Sequence, residues 1–162
     1  MRTTTESAAI IRATLKSKGI SSRQVSVRAE YYSMGSSLHV VIKDPRVSLA
    51  LVEAIANEHE HIDRDQFGDI LAGGNTYLHV GYSSAARDVL GAAYHDAVAK
   101  AVDELTTAGE HALIPVTGTP FTIGHSQYGG SLSLWGESHI SSANDADGVA
   151  ELIGMKLGLT HV

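Results

Sequence analysis

Cysteine is absent from the 162 residues, which rules out a disulfide framework and any thiolate metal site and leads us to expect a reducing, cytoplasmic setting. No run approaches the roughly 20 apolar residues of a membrane-spanning helix. The N-terminal stretch MRTTTESAA has no apolar core of the signal-peptide kind, so no membrane partner is expected. The catalytic signatures that a short sequence can carry are missing as well. There is no G-x-S-x-G elbow and no H-E-x-x-H pair, which removes the commonest nucleophile and zinc-protease readings. Aromatic residues are sparse, with six Tyr, two Phe and one Trp, which weakens any base-stacking surface.

What is present is a chain of one-domain size, able to bury about two-thirds of its unfolded surface without a staple. Its net charge of −6 conceals an asymmetry. Residues 1–48 hold eight Lys or Arg against three acids, and residues 49–162 hold four against fifteen, giving +5 and −11. A basic segment of this kind can meet phosphate, and an acidic one can meet a basic partner.

Apolar periodicity predicts an α+β fold of antiparallel β-hairpins with helices packed on one face. Ala8, Ile11 and Leu15 mark a first helix closed by Gly19, with Ile20 making the closing contact. Strands are expected at 24–30 and 37–42, and Asp44-Pro45 reads as an N-cap with proline at the first helical position. A helix around Leu49, Val52 and Ile55 then leads into a polar loop at 62–75 and a strand at Thr76–Tyr82. A long Ala-rich helix over 84–108 follows, with Val89, Ala92, Ala93, Val98, Val102 and Leu105 available for burial. Strands at 111–117, 120–126 and 131–136 precede a last helix, with Ser142 and Asp145 as a capping box and Val149, Leu152, Ile153 and Leu157 as its apolar face. The chain reads as one compact domain, 1–162, with halves at 7–82 and 83–162. Helix, strand, Gly-containing loop, strand and helix recur in the second half, where Val27 would match Ile123 and Leu38 would match Leu132. That order leaves a degenerate repeat and a chance recurrence as alternatives.

Nine histidines raise the question of a metal. The densest group is Glu58-His59-Glu60-His61 with Asp63, Asp65 and Asp69 close behind, a donor set that suits zinc, manganese or iron. His59 and His61 are two apart and diverge on a helix, so they could share an ion only if the helix has already ended. The aspartates lack the glycine and terminal glutamate of an EF-hand loop. No cofactor is expected, and the default reading is a solvated helix end. His39 and His79 each precede a valine in a strand, but the hydroxyl residue two places on that a paired-histidine phosphoesterase needs is replaced by Val41 and Gly81. Gly129-Gly130-Ser131 resembles a phosphate loop only in its glycines, since no lysine follows. Arg28, Tyr31 and Tyr32 are placed to meet a partner, either protein or nucleic acid.

One stretch carries a resemblance. Ile11-Arg12, Leu15-Lys16, Val25-Ser26-Val27-Arg28, Tyr32-Ser33-x-Gly35-x-Ser37 and a hydrophobic strand ending at Asp44-Pro45 resemble the large polyvalent-protein-associated domain numbered twenty-nine in its series. The resemblance spans about residues 7–80 and is most specific over 11–45. The chain departs from the pattern after the second strand, where the family often has Trp and Asp-Gly-Pro. Such domains occur in large proteins of bacteriophages and conjugative elements and as short separate proteins, where they are inferred to help an invading element establish itself. The resemblance implies a helix, two-strand, helix unit and brings no catalytic residues. The expectation is therefore a phage or mobile-element accessory protein that binds a host protein complex such as a defence nuclease, in an anti-CRISPR or anti-restriction role. Arg28, Tyr31, Tyr32, Asp63, Asp65 and Asp69 are its partner-binding candidates. A small metal-dependent enzyme at His59 and His61, and a nucleic-acid-binding module on the basic N-terminal segment, are the alternatives.

Overall fold

The computed structural model describes residues 2–71, 73–126 and 130–159. The chain divides into two compact units at the Ser83/Ser84 bond, and the elements have the α+β composition that the periodicity predicts.

The first unit opens with α1 (Thr4–Ser17), started by a capping box. The Thr3 hydroxyl accepts from the Glu6 N–H, and the Glu6 carboxylate accepts from the Thr3 N–H. The helix buries Ala8, Ile11 and Leu15, and it closes as expected. Gly19 takes φ +79°, its N–H donates to Lys16, and the Ile20 N–H reaches back to Leu15. Strands β1 (Val25–Tyr32) and β2 (Gly35–Ile42) form an antiparallel hairpin that is longer than the sequence pattern suggests. Tyr31, Tyr32, Gly35 and Ser36 continue the ladder, leaving only Ser33-Met34 as the turn.

Asp44-Pro45 does not cap the next helix. The carboxylate of Asp44 is clasped by Arg46 at 2.8 and 2.9 Å within a turn closed by the Val47 N–H on the Asp44 carbonyl. Ser48 is the true N-cap of α2 (Leu49–Ala56). A short 3₁₀ turn, Asn57–His59, and a loop lead to β3 (Asn75–Tyr82).

The strand order is β1-β2-β3, and β2 and β3 run parallel in register from Gly35↔Asn75 to Ile42↔Tyr82. The antiparallel hairpin is the one expected, and β3 joins it as a parallel third strand. A parallel neighbour requires a crossover, and α2 supplies it. Helix α1 lies on β1 and β2, and α2 lies on β3 and α1. The sheet therefore buries one face, with Val25, Val27, Leu38, Val40 and Ile42 in its core. Where α1 begins, Thr4, Ser36 and Thr76 bring three hydroxyls together at 2.5, 3.1 and 3.4 Å. Tyr82 is buried with its hydroxyl satisfied, donating to the Val47 carbonyl and accepting from the Leu49 N–H.

In the second unit, α3 (Ser84–Ala108) precedes a meander of β4 (Ile114–Pro115), β5 (Thr122–His125), β6 (Leu132–Trp135) and β7 (His139–Ala143), and α4 (Ala146–Leu157) ends it. All neighbouring pairs are antiparallel, in the order β4-β5-β6-β7. Tyr94, Val98, Leu105, Ile123, Leu134, Val149 and Ile153 form the core. Strand β7 takes up Ser142, so the expected box gives way to Asp145 alone, whose carboxylate accepts from the Gly148 N–H. Val89 and Ala92 are exposed, because the buried stripe of α3 runs instead through Ala86, Leu90, Gly91 and Tyr94. The hairpin pairs Ile123 with Leu134 and His125 with Leu132, as β1–β2 pairs Val27 with Val40 and Ala29 with Leu38. Beyond that hairpin the two units differ in strand order and direction. Of the stretch Tyr128-Gly129-Gly130, where a loop is expected, the first two residues lie outside the described set.

Helices α3 and α4 meet closely because Gly154 lacks a side chain. A Cβ there would sit 2.6 Å from the Leu90 carbonyl oxygen. Gly154→Ala is expected to lose about 1–3 kcal/mol in urea unfolding. Gly91→Ala meets Glu151 Cγ at 3.0 Å, with the Glu151 backbone no nearer than 3.5 Å, and should stay within about 1 kcal/mol of wild type. The Arg46 clasp holds the Asp44 carboxyl below its ordinary range. Its stabilisation is present above the unfolded value of 3.8 and fades as pH falls through the lower folded one. Asp44→Asn should cost about 1 kcal/mol at neutral pH, and its gap to wild type should narrow in unfolding curves taken below about pH 4.

Candidate binding surfaces of the three-stranded sheet

Because β2 and β3 are parallel, both begin at the end of the sheet that carries the Ser33-Met34 turn. The loop before β3 is tied to that same end. His61 and Thr76 exchange backbone hydrogen bonds of 3.0 and 2.7 Å. The buried Asn75 side chain accepts from the Asp63 N–H at 2.8 Å and donates to the Leu71 carbonyl at 2.7 Å. Further out, Asp65 accepts from the N–H groups of Phe67 and Asp69, both at 2.9 Å, and Arg64 donates to the Gly68 carbonyl. The loop thus has internal structure while presenting Phe67, 82% exposed, with Ile70 and Leu71. Tyr31, Tyr32 and Met34 are exposed on the adjoining hairpin tip. Six of the ten exposed large hydrophobic side chains among the described residues belong to the hairpin tip and to this loop.

The partner-binding candidates are divided between surfaces. Arg28 and Tyr32 lie on the face of the sheet away from the helices, whereas Tyr31 lies on the helix side. The Tyr31 hydroxyl pairs with the Thr5 hydroxyl at 2.8 Å and accepts from the Thr5 N–H, which lowers its pKa. Asp63 faces the His61 ring at 3.0 Å. Asp65 is occupied in shaping its own turn, and Asp69 contributes the N–H that Asp65 holds. The helix has ended by Glu60, which is extended, and His59 and His61 border a common shallow cavity of about 240 Å³. Among the described residues no group of three or more His, Asp or Glu side chains is arranged to hold a metal ion. Glu60 instead accepts from the Leu78 N–H at 3.4 Å.

The helix-free face carries a feature that sequence reasoning considered and set aside. His39 and His79 are register partners on parallel strands, and their rings stack at 4.8 Å with 19° between planes. Ser37 Oγ is 2.9 Å from His39 Nε2, and the Glu30 carboxylate is 3.4 Å from the same nitrogen. The hydroxyl residues stand two places before each histidine, as Ser37 and Tyr77, rather than two places after. The matching stretches Ser37-Leu38-His39-Val40 and Tyr77-Leu78-His79-Val80 were the available signal. Their juxtaposition depends on parallel pairing, which the hydrophobic pattern does not specify.

No family model matches the chain, and neither a curated protein nor a solved structure is significantly similar to it.

Asn75→Ala would leave the Asp63 N–H and the Leu71 carbonyl without their side-chain partner. It should cost about 1–3 kcal/mol and selectively raise hydrogen exchange and protease cleavage between residues 62 and 74. Uniform exchange changes across the first unit would contradict this local role.

Proposed function

We propose that the protein acts by binding another protein through the end of the sheet formed by the hairpin tip and the loop before β3. The observation that carries this reading is the exposure of Tyr31, Tyr32 and Met34 on the hairpin tip and of Phe67, Ile70 and Leu71 on the loop whose ends are tied to the same end of the sheet. Contiguous exposed apolar groups with a polar rim are the usual basis of a recognition patch. Asp63, Asp65 and Asp69 supply the rim here, and their charge favours a basic partner.

The setting we propose is that of a phage or mobile-element accessory protein that inhibits a host defence complex such as a nuclease. The hairpin resemblance and the −11 charge of residues 49–162 support it. Nucleic-acid-processing complexes present basic channels that an acidic surface can enter. Among the described residues no helix is long and apolar enough to cross a membrane.

Tagged wild-type protein and a Met34→Ser/Phe67→Ser variant should differ in pull-downs from host lysate. Wild type should retain a defence or nuclease subunit in stoichiometric amount, and the variant should lose it while keeping its circular dichroism. Identical retained proteins from both baits would overturn this assignment. Retention unchanged at about 1 M salt would remove the acidic rim from the account.

A further inference from the structure

We propose that the helix-free face of the three-stranded sheet is a nucleotide site, in which Arg28 meets the phosphate and the stacked His39–His79 pair receives the flat base. This surface adjoins the patch at the end of the sheet, with Tyr32 on the same face and Arg28, His39 and His79 further along the strands. The register places Arg28, His39 and His79 side by side across β1, β2 and β3, so the Cα atoms of Arg28 and His79 stand about 10 Å apart along the row. Both helices of this unit lie on the opposite face, and Arg28 and His79 are exposed.

The row has the chemistry of both parts of a nucleotide. Arg28 forms no ion pair or hydrogen bond among the described residues. The nearby Glu30 carboxylate is within reach of His39 Nε2, at 3.4 Å. A guanidinium without a carboxylate partner is suited to bidentate contact with phosphate. The histidine rings already show near-parallel stacking. His79 stands on the edge strand, so the outer side of the pair can accept another flat ring. His39 is oriented by Ser37 Oγ at 2.9 Å, which holds the pair in place for an incoming ring. Beside it, Gly81 leaves the sheet surface bare. A Cβ at that position would meet nothing within 4 Å, and an open groove of about 400 Å³ runs past His39, Val41, His79 and Gly81. That open space leaves room for the sugar of a nucleotide whose base stacks on His79.

The test is a titration of the full chain, followed by NMR of the histidine ring and arginine Nε–Hε signals. Uridine 5′-monophosphate, inorganic phosphate and a short oligouridylate serve as separate probes. The mononucleotide should shift His39, His79 and Arg28 together. His79→Ala and Arg28→Gln should each weaken binding about tenfold, with the amide spectrum of the rest of the first unit unchanged. Tighter binding of the oligouridylate would support the site and identify a nucleic-acid strand as its source, and equal binding would support it with free nucleotide as the source. Gly81→Leu, which fills the groove without touching the ladder, should also weaken the mononucleotide. Absence of shifts with all three probes would overturn the proposal. So would inorganic phosphate binding as tightly as the mononucleotide, or binding indifferent to both Arg28→Gln and His79→Ala. None of these outcomes depends on the protein partner, because neither Met34 nor Phe67 is altered.

Discussion

Gly35 and Asn75 meet where two parallel strands begin, and a Cβ on Gly35 would lie 2.8 Å from the Asn75 carbonyl oxygen. That close approach fixes where β3 starts against β2. From it follow the alignment of Leu38 with Leu78, Val40 with Val80 and His39 with His79. The loop before β3 must then return to the hairpin end, because parallel strands start together. Asn75 acts in both roles. Its backbone belongs to the sheet, and its buried side chain draws in the loop at Asp63 and Leu71. The apolar patch and the histidine ladder are thus two consequences of one strand pairing.

The second unit is organised by a different contact. Its long helix and its last helix approach closely at Leu90 and Gly154, and their shared core continues into Ile123 and Leu134 of the meander. The Tyr94 hydroxyl completes the helix pair by donating to the Gly158 carbonyl at 2.5 Å, satisfying an orphan acceptor at the end of α4. An open cavity of about 920 Å³ in this unit is lined by His111, His125, Asn144 and Asp145. The Asp145 carboxylate is already engaged in capping α4.

Local signals were readable in the sequence and long-range ones were not. Gly19 with Ile20 closed α1 as its spacing predicts, and the limits of α3 follow from its composition, because each depends on residues a few positions apart. Asp44-Pro45 had the form of a helix start, but Arg46 was better placed to take the carboxylate, and the cap passed to Ser48. The single-hydroxyl cap at Asp145 displaced the expected box because Ser142 was needed in β7, a strand too short and polar to show an alternating pattern. Of the candidate site, the exposure of Tyr31, Tyr32 and the aspartate loop could be anticipated from polarity. The separation of Arg28 and Tyr32 from Tyr31 follows from strand alternation once the hairpin is known to reach residue 32. The meeting of His39 with His79 joins positions 40 apart and rests on strand direction, a property set by the crossover rather than by either strand.

The hydroxyls of Thr4, Ser36 and Thr76, gathered where α1, β2 and β3 begin, discriminate between alignments. Sliding β3 by two residues along β2 would keep side-chain alternation intact and bring Leu38 opposite Val80, a pairing that oil-like packing scarcely distinguishes from the native one. The same slip would part Ser36 from Thr76 and strand polar groups in a protected place, where an unanswered hydroxyl is costly. Apolar side chains in this sheet determine that the strands associate, and three small polar ones determine which of several near-equivalent associations endures.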